Sequence, residues 1–191
     1  MVPIILASAS PRRQELLKNL GLDFTVRVSE VDETLEENLA PAQQVERLAE
    51  RKARAVASET TKGLVIGADT LVVFEGTPLG KPADTREAVS MLSKLQGQSH
   101  QVFTGLAVIN AATGKSVVTH EVTTVHFKPM SREQIERYVA TGEPMDKAGA
   151  YAVQGKASIF IEGIRGCYFN VVGLPVGKLA EALKEFGVEI I

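Results

Sequence analysis

One stretch limits the folds open to this chain more than any other: GLVIGADTLVVFEG, Gly63 to Gly76. Its β-branched and apolar residues describe a buried, central strand that Gly67 and Asp69 interrupt. A strand of this kind needs covering layers, and the chain on either side offers helices. Pro41 opens a helix to about Ser58 whose apolar stripe is Val45, Leu48, Ala49, Ala53 and Val56, a 3.6-residue period. Beyond the strand, Asp84 and Glu87 form a capping-box pattern ahead of TREAVSMLSKLQ, which Gly97 ends.

The remaining elements fit the same plan. Pro3 to Ala7 reads as a short buried strand, followed by a helix from about Pro11 to Leu20 with Ser10 at its N-cap and Gly21 at its stop. Phe24 to Val28 is a second strand, leading into the acidic loop SEVDETLEEN. HQVFTGLAVIN and SVVTHEVTTVHF are β-rich runs joined by AATGK, which has the composition of a hairpin loop. Ser131 with Gln134 predicts a helix to about Thr141. The tail holds a strand, ASIFIEGI, a glycine-punctuated segment, and a last helix from Pro175 to Phe186. Early alternation of strand and helix, then hairpin character, predicts a single α/β domain over residues 1–191 with a mixed sheet flanked by helices.

Composition excludes some functions. A net charge of -2 argues against a general nucleic-acid binder, so cations that bind a small polyanion have to be gathered locally. No apolar run approaches a membrane span, and MVPIILASAS lacks the basic start of a secretory signal. Cys167 is the single cysteine and has no intramolecular disulfide partner. The expectation is a cytoplasmic protein of a reducing compartment, without membrane association.

The candidate chemistry begins in LASASPRRQELL, Leu6 to Leu17. A strand, a loop of small residues and a helix N-terminus form an anion site, because backbone N–H groups and the helix dipole both favour negative charge. Arg12 and Arg13 oppose that dipole in the absence of an anion and favour a phosphate chain in its presence, since arginine grips phosphate oxygens bidentately. Two solvated surface arginines are the bland alternative. Lys52 shares the stripe of the Pro41–Ser58 helix and either snorkels past the core edge or points into a cleft. Asp69 is the main anomaly. A carboxylate in a central strand must be hydrogen-bonded, ion-paired, metal-bound or at a cleft.

Glu30, Asp32 and Glu33 form an acidic loop, one member of which could join Asp69 in holding Mg²⁺ or Mn²⁺; a solvated cluster is the alternative. Lys81, in PLGKP, is a further phosphate contact or an exposed turn lysine. DKAGAYAVQG, Asp146 to Gly155, is rich in small residues around Tyr151 and Gln154, and a glutamine amide can read a base edge. His120 and His126 share a face of one strand without zinc-site partners, and all three histidines read as structural.

Taken together, LASASPRRQELL, EVDE, GADTLV, GKP, DKAGAYAVQG and GLPV resemble, in order and through nearly the whole chain, the Maf-like nucleoside triphosphate pyrophosphatases. The resemblance implies an elongated mixed sheet similar to inosine triphosphatase, with a cleft between two lobes. It also implies metal-dependent cleavage of a nucleoside triphosphate to the monophosphate and pyrophosphate. On that resemblance Ser8, Arg12 and Arg13 hold the triphosphate, and Lys52 and Lys81 neutralise it in the catalytic step. Asp69 accepts a proton or orients water, and Glu33 and Asp69 lie near the metal. Arg12, Thr70 and Gln154 match the specificity positions of the branch acting on dTTP and UTP. The branch acting on 7-methyl-GTP, or a nucleotide-sensing regulator of division without useful turnover, is the alternative. A homodimer is a family-level expectation. The chain departs from the pattern at Ala9 and Ala152, where glycine is common; alanine fits there only with negative φ.

Overall fold

The computed structural model describes residues 2–28, 30–36 and 38–191. Ser29 and Glu37 of the acidic loop, and Met1 of the N-terminal stretch, lie outside the described residues. The order is β1 (Ile4–Leu6), α1 (Pro11–Asn19), β2 (Phe24–Val26), α2 (Pro41–Ser58), β3 (Leu64–Phe74), β4 (Thr77–Leu79) and α3 (Thr85–Leu95). Then come β5 (Ser99–Asn110), β6 (Ser116–Phe127), α4 (Arg132–Val139), three short 3₁₀ turns, β7 (Ile161–Arg165), α5 (Tyr168–Val172) and α6 (Val176–Lys184). The sheet is mixed and seven-stranded, in the order β2-β1-β3-β5-β6-β7, with β4 pairing β3. β1 is parallel to both β2 and β3, whereas β3–β4 and β6–β7 are antiparallel. Among the described residues no helix is long and apolar enough to cross a membrane.

The chain divides into two compact units, each built from discontinuous segments. The first comprises Met1–Asp69, Thr104–Glu121 and Gly173–Ile191, the second Thr70–Phe103 and Val122–Val172. β3, β5 and β6 each run from one unit into the other.

In the first unit the core under α2 consists of small residues: Ala7, Ala49, Ala53 and Ala107, with Ile5, Val56, Val65 and Ile109. Gly67 of β3 and Gly105 of β5 explain how closely the helix lies. A Cβ on Gly67 would fall inside the envelope of the Ala49 carbonyl oxygen and 2.9 Å from the Ala53 Cβ. One on Gly105 would meet the Val45 carbonyl and lie 2.7 Å from Glu46 N. Contacts so short are closed to a side chain, so helix backbone and strand backbone touch only because both positions are glycine. β3 is therefore not interrupted at Gly67 and Asp69 as its sequence suggested. It is continuous over 11 residues, with the missing side chain filled by the helix.

In the second unit an aromatic group closes the core. His100, Phe127 and Tyr151 pack edge-to-face with ring centroids 5.1, 5.3 and 4.8 Å apart. His100 Nε2 and Tyr151 Oη are 2.8 Å apart. Burial, with a smaller contribution from His126, pushes the imidazole pKa down to about 4. The unfolded chain, with an ordinary histidine near 6.5, therefore binds the extra proton first. The stability that neutral His100 contributes is complete above pH 6.5 and is lost as pH falls from there towards 4, with a slope approaching about 1.4 kcal/mol per pH unit. Denaturant titrations of the parent and His100→Gln over this range check it, and an equal slope in both would refute it.

Several terminal elements differ from expectation. ASIFIEGI is half strand. Lys156–Phe160 forms a 3₁₀ turn, started by Ser158 N donating to Gly155 O, and only Ile161–Arg165 joins the sheet. The glycine-punctuated segment contains α5, whose buried Asn170 donates Nδ2 to Val102 O and to Thr123 Oγ1. Ser10 is the N-cap of α1 without a side-chain cap bond; Ser8 Oγ accepts from Ser10 N instead. The capping box at Ser131 and Gln134 is complete. Glu75 and Ala150 are the non-glycine residues described with positive φ, so Ala9 and Ala152 satisfy the condition for alanine.

Candidate active site

The site in the first unit follows from the seating of α2. Side chains alternate along a strand, so Asp69 shares with Gly67 the face of β3 that meets the helix. On α2, Lys52 lies one turn beyond Ala49, on the side pressed to the strand. The two meet: Lys52 Nζ donates to Asp69 Oδ1 at 2.7 Å and pairs with Glu33 Oε1 at 2.9 Å. The Lys52 and Asp69 side chains are 10% and 13% exposed, while Glu33 is 57% exposed, so solvent reaches this trio from the Glu33 side. Lys52 does not snorkel; it ends between two carboxylates.

α2 also holds the acidic loop in place. Gln44 donates Nε2 to Glu36 O and accepts from Glu36 N, Arg47 and Arg51 pair with the Glu36 carboxylate, and Arg51 Nη1 donates to Asp32 O at 2.6 Å. Asp32 folds its own turn by accepting from Thr34 N and Thr34 Oγ1, which holds its carboxyl below the usual range. Of the acidic loop residues, Glu33 thus reaches Lys52 while Asp32 is spent on local structure.

Arg13 departs from its expected role as a frustrated cation. Its Nε donates to Gly173 O at 2.8 Å and its Nη1 to Ser8 Oγ at 3.2 Å, so the guanidinium is anchored in the fold without an anion. Withdrawal from water lowers its pKa. Asp69 opposes that effect, Arg12 adds to it, and Glu33 opposes it. Arg13 therefore feels the same two carboxylates as Lys52. Ser8, Arg13, Glu33, Lys52 and Asp69 are brought together, and half-exposed Arg12 precedes Arg13 in the first turn of α1.

The second unit holds the other candidates. Thr70 follows Asp69 directly on β3, and by strand alternation its side chain points to the opposite face. Lys81 is exposed in the turn after β4, and Gln154 is exposed in the turn after Tyr151. Gly149 N donates to Gly80 O at 3.1 Å, tying the GKP turn to the DKAGAYAVQG segment. The histidines have partners within their own units: His120 pairs with Glu46, and His126 lies between Ser99 and Glu162.

Among the described residues no group of three or more His, Cys, Asp or Glu side chains is arranged to hold a metal. Glu33 and Asp69 nevertheless converge on one point, marked by the Lys52 ammonium. A carboxylate pair fits a hard ion that completes its shell with water and phosphate oxygens.

A profile of the Maf-like proteins matches residues 3–186. The chain belongs to the Maf-like family. A Desulforamulus reducens relative named dTTP/UTP pyrophosphatase is 72% identical over 191 residues, covering 100% of both chains. One of the same name from Pelotomaculum thermopropionicum is 58% identical over the full length of both. The structure of the Staphylococcus aureus Ham1 protein superposes with a TM-score of 0.52 at 18% identity, covering 97% of this chain and 100% of that one, a likeness of fold. Within this Maf-like frame, Glu143 is a further candidate that the sequence did not flag. It lies outside the segments that carry the resemblance, and its carboxylate links Tyr138, five residues before it, to Lys156 N, 13 residues after it.

Proposed function

We propose that this Maf-like protein is a nucleoside triphosphate pyrophosphatase that hydrolyses dTTP and UTP to the monophosphate and pyrophosphate. The observation that carries the reading is the convergence of Asp69 and Glu33 on buried Lys52, beside Arg13 and Ser8. It occurs in a chain 72% identical to a protein named for that activity. Net charge -2 accords with a free nucleotide rather than nucleic acid as substrate. The free thiol of Cys167 accords with a reducing, cytoplasmic setting.

In this reading Ser8, Arg12 and Arg13 receive the triphosphate at the start of α1, and Lys52 and Lys81 offset its charge. Glu33 and Asp69 would hold Mg²⁺ or Mn²⁺, which supplies Lewis-acid stabilisation of phosphate charge and acidifies bound water. Asp69 orients the attacking water and accepts its proton as the water oxygen bonds to the α-phosphorus. The bond from that phosphorus to the bridging oxygen breaks, and pyrophosphate leaves with the electron pair. Arginine and lysine stabilise the charge that builds on the leaving group. Gln154 pairs its amide with the O4 and N3–H edge of the pyrimidine.

Pyrophosphate release from dTTP, UTP, 7-methyl-GTP and the standard purine triphosphates, titrated with Mg²⁺ and Mn²⁺, tests the reading. The expected order by kcat/KM puts dTTP and UTP first. A purine preference would remove the role given to Gln154. Tight triphosphate binding without turnover in either metal would replace the enzyme with a sensor.

A further inference from the structure

Gln154 is exposed, on a turn, and yet has to present an amide in a fixed direction if it is to read a base. What fixes it is visible on both sides of the residue. Ala152 to Gly155 form a turn closed by Gly155 N donating to Ala152 O at 3.1 Å, with Gln154 in its second half. Upstream, Ala152 N donates to the Tyr138 hydroxyl oxygen at 3.3 Å. Downstream, Lys156 N donates to Glu143 Oε2 at 3.1 Å. The two anchors are one network, because Tyr138 Oη donates to Glu143 Oε1 at 2.8 Å. Gly155 lies flat against the same carboxylate, with no room for a Cβ.

Tyr138 is rooted in the core, 4% exposed on α4, and its ring meets Phe160 edge-to-face. Glu143 sits between them with its backbone N donating to Thr141 Oγ1 and its carbonyl accepting from Lys147 Nζ. Burial raises the Glu143 pKa. Hydrogen bonds from Lys156 N, Tyr138 and Ala157 N, and the Lys147 charge, outweigh it, so the carboxyl titrates below the ordinary glutamate range. The carboxyl is thus ionised at neutral pH, the form that accepts these hydrogen bonds.

We propose that Glu143, acting with Tyr138, is a positioning residue for substrate discrimination: it clamps the Ala152–Gly155 turn at both ends and so sets the direction of the Gln154 amide. The proposal rests on the pyrimidine-reading role given to Gln154 above. It assigns Glu143 no contact with substrate.

The experiment is a double-mutant cycle read as the ratio of kcat/KM for dTTP to that for dGTP. Gln154→Ala lowers the ratio by about tenfold, the worth of about one directed hydrogen bond. Glu143→Ala lowers it by a comparable factor through the KM for dTTP, and the double variant is no worse than Gln154→Ala alone. Glu143→Gln, which keeps an acceptor for Lys156 N, recovers part of the loss. A ratio unchanged in Gln154→Ala overturns the base-reading role, and the clamp with it. A loss in Gln154→Ala that is absent from Glu143→Ala, or that multiplies in the double variant, overturns the clamp alone. Where Glu143→Ala does not fold, Tyr138→Phe keeps the ring and removes the hydroxyl link. It must show the same lowered, non-additive ratio, and a parental ratio overturns the proposal.

Discussion

Replacing Asp69 by asparagine is expected to lower kcat for pyrophosphate release from dTTP by about a thousandfold, the scale of losing a positioned base or charge stabiliser. The fold should survive. Asparagine has the same shape and still offers an oxygen to Lys52 Nζ, and Glu33 remains 2.9 Å from the ammonium to balance its charge. A buried lysine stripped of every carboxylate would be strongly destabilising, but this one keeps a partner. Thermal unfolding within a few degrees of the parent is therefore part of the expected result. The same variant separates two roles for Asp69. If it mainly holds metal, the metal concentration for half-activity rises and excess Mn²⁺ restores part of kcat. If it mainly takes the proton, metal affinity stays close to the parent's and excess Mn²⁺ does not restore kcat. Full activity in Asp69→Asn would leave the trio as a structural ion pair.

The elements most legible in the sequence were those whose causes are local. Ser131 and Gln134 signalled a helix start because both halves of the box lie within one turn of chain, and the bonds form as read. Asp84 caps α3 by accepting from Glu87 N, although Glu87 returns its carboxylate to Ala83 N rather than to the cap itself. Asp69 stood out because a carboxylate in an apolar strand needs a partner, and it has one. What that partner was could not be read locally. Lys52 lies 17 residues earlier and meets it only because α2 sits on the sheet. Likewise nothing near Arg13 announces the Gly173 carbonyl 160 residues away that engages its Nε.

The failures have the same origin. ASIFIEGI has strand composition throughout, yet its first half lies in the 3₁₀ turn that Ser158 N starts on Gly155 O, and Lys156 N just ahead of it is held by Glu143 Oε2, contacts that composition does not record. Gly67 looked like a defect in a strand because its neighbours in sequence gave it no reason. The reason is the carbonyl of Ala49, contributed by another element. Glycine in a strand marks either weakness or close approach, and only the packed structure decides which.

That close approach yields the largest expected effect on stability. Gly105→Ala should cost about 3 kcal/mol or more, beyond ordinary overpacking, because the atoms in the way are the Val45 carbonyl and the Glu46 amide of a helix. A crowded side chain can change rotamer, but backbone in the second turn of α2 can yield only by lifting the helix. Lifting it opens the core formed by Ala49, Ala53, Val56 and Ala107 and draws Lys52 away from Asp69. Stability and activity should therefore fall together in Gly105→Ala, and in Gly67→Ala for the same reason. Gly177→Ala is the control. Gly177 is an exposed position of α6 where an added Cβ meets nothing within 4 Å, and alanine there favours the helix by up to about 1 kcal/mol. Urea midpoints and dTTP turnover of the three variants measure this directly. A Gly105→Ala protein as stable as the parent would mean that α2 has room to move, and that its seating does not hold Lys52 against Asp69.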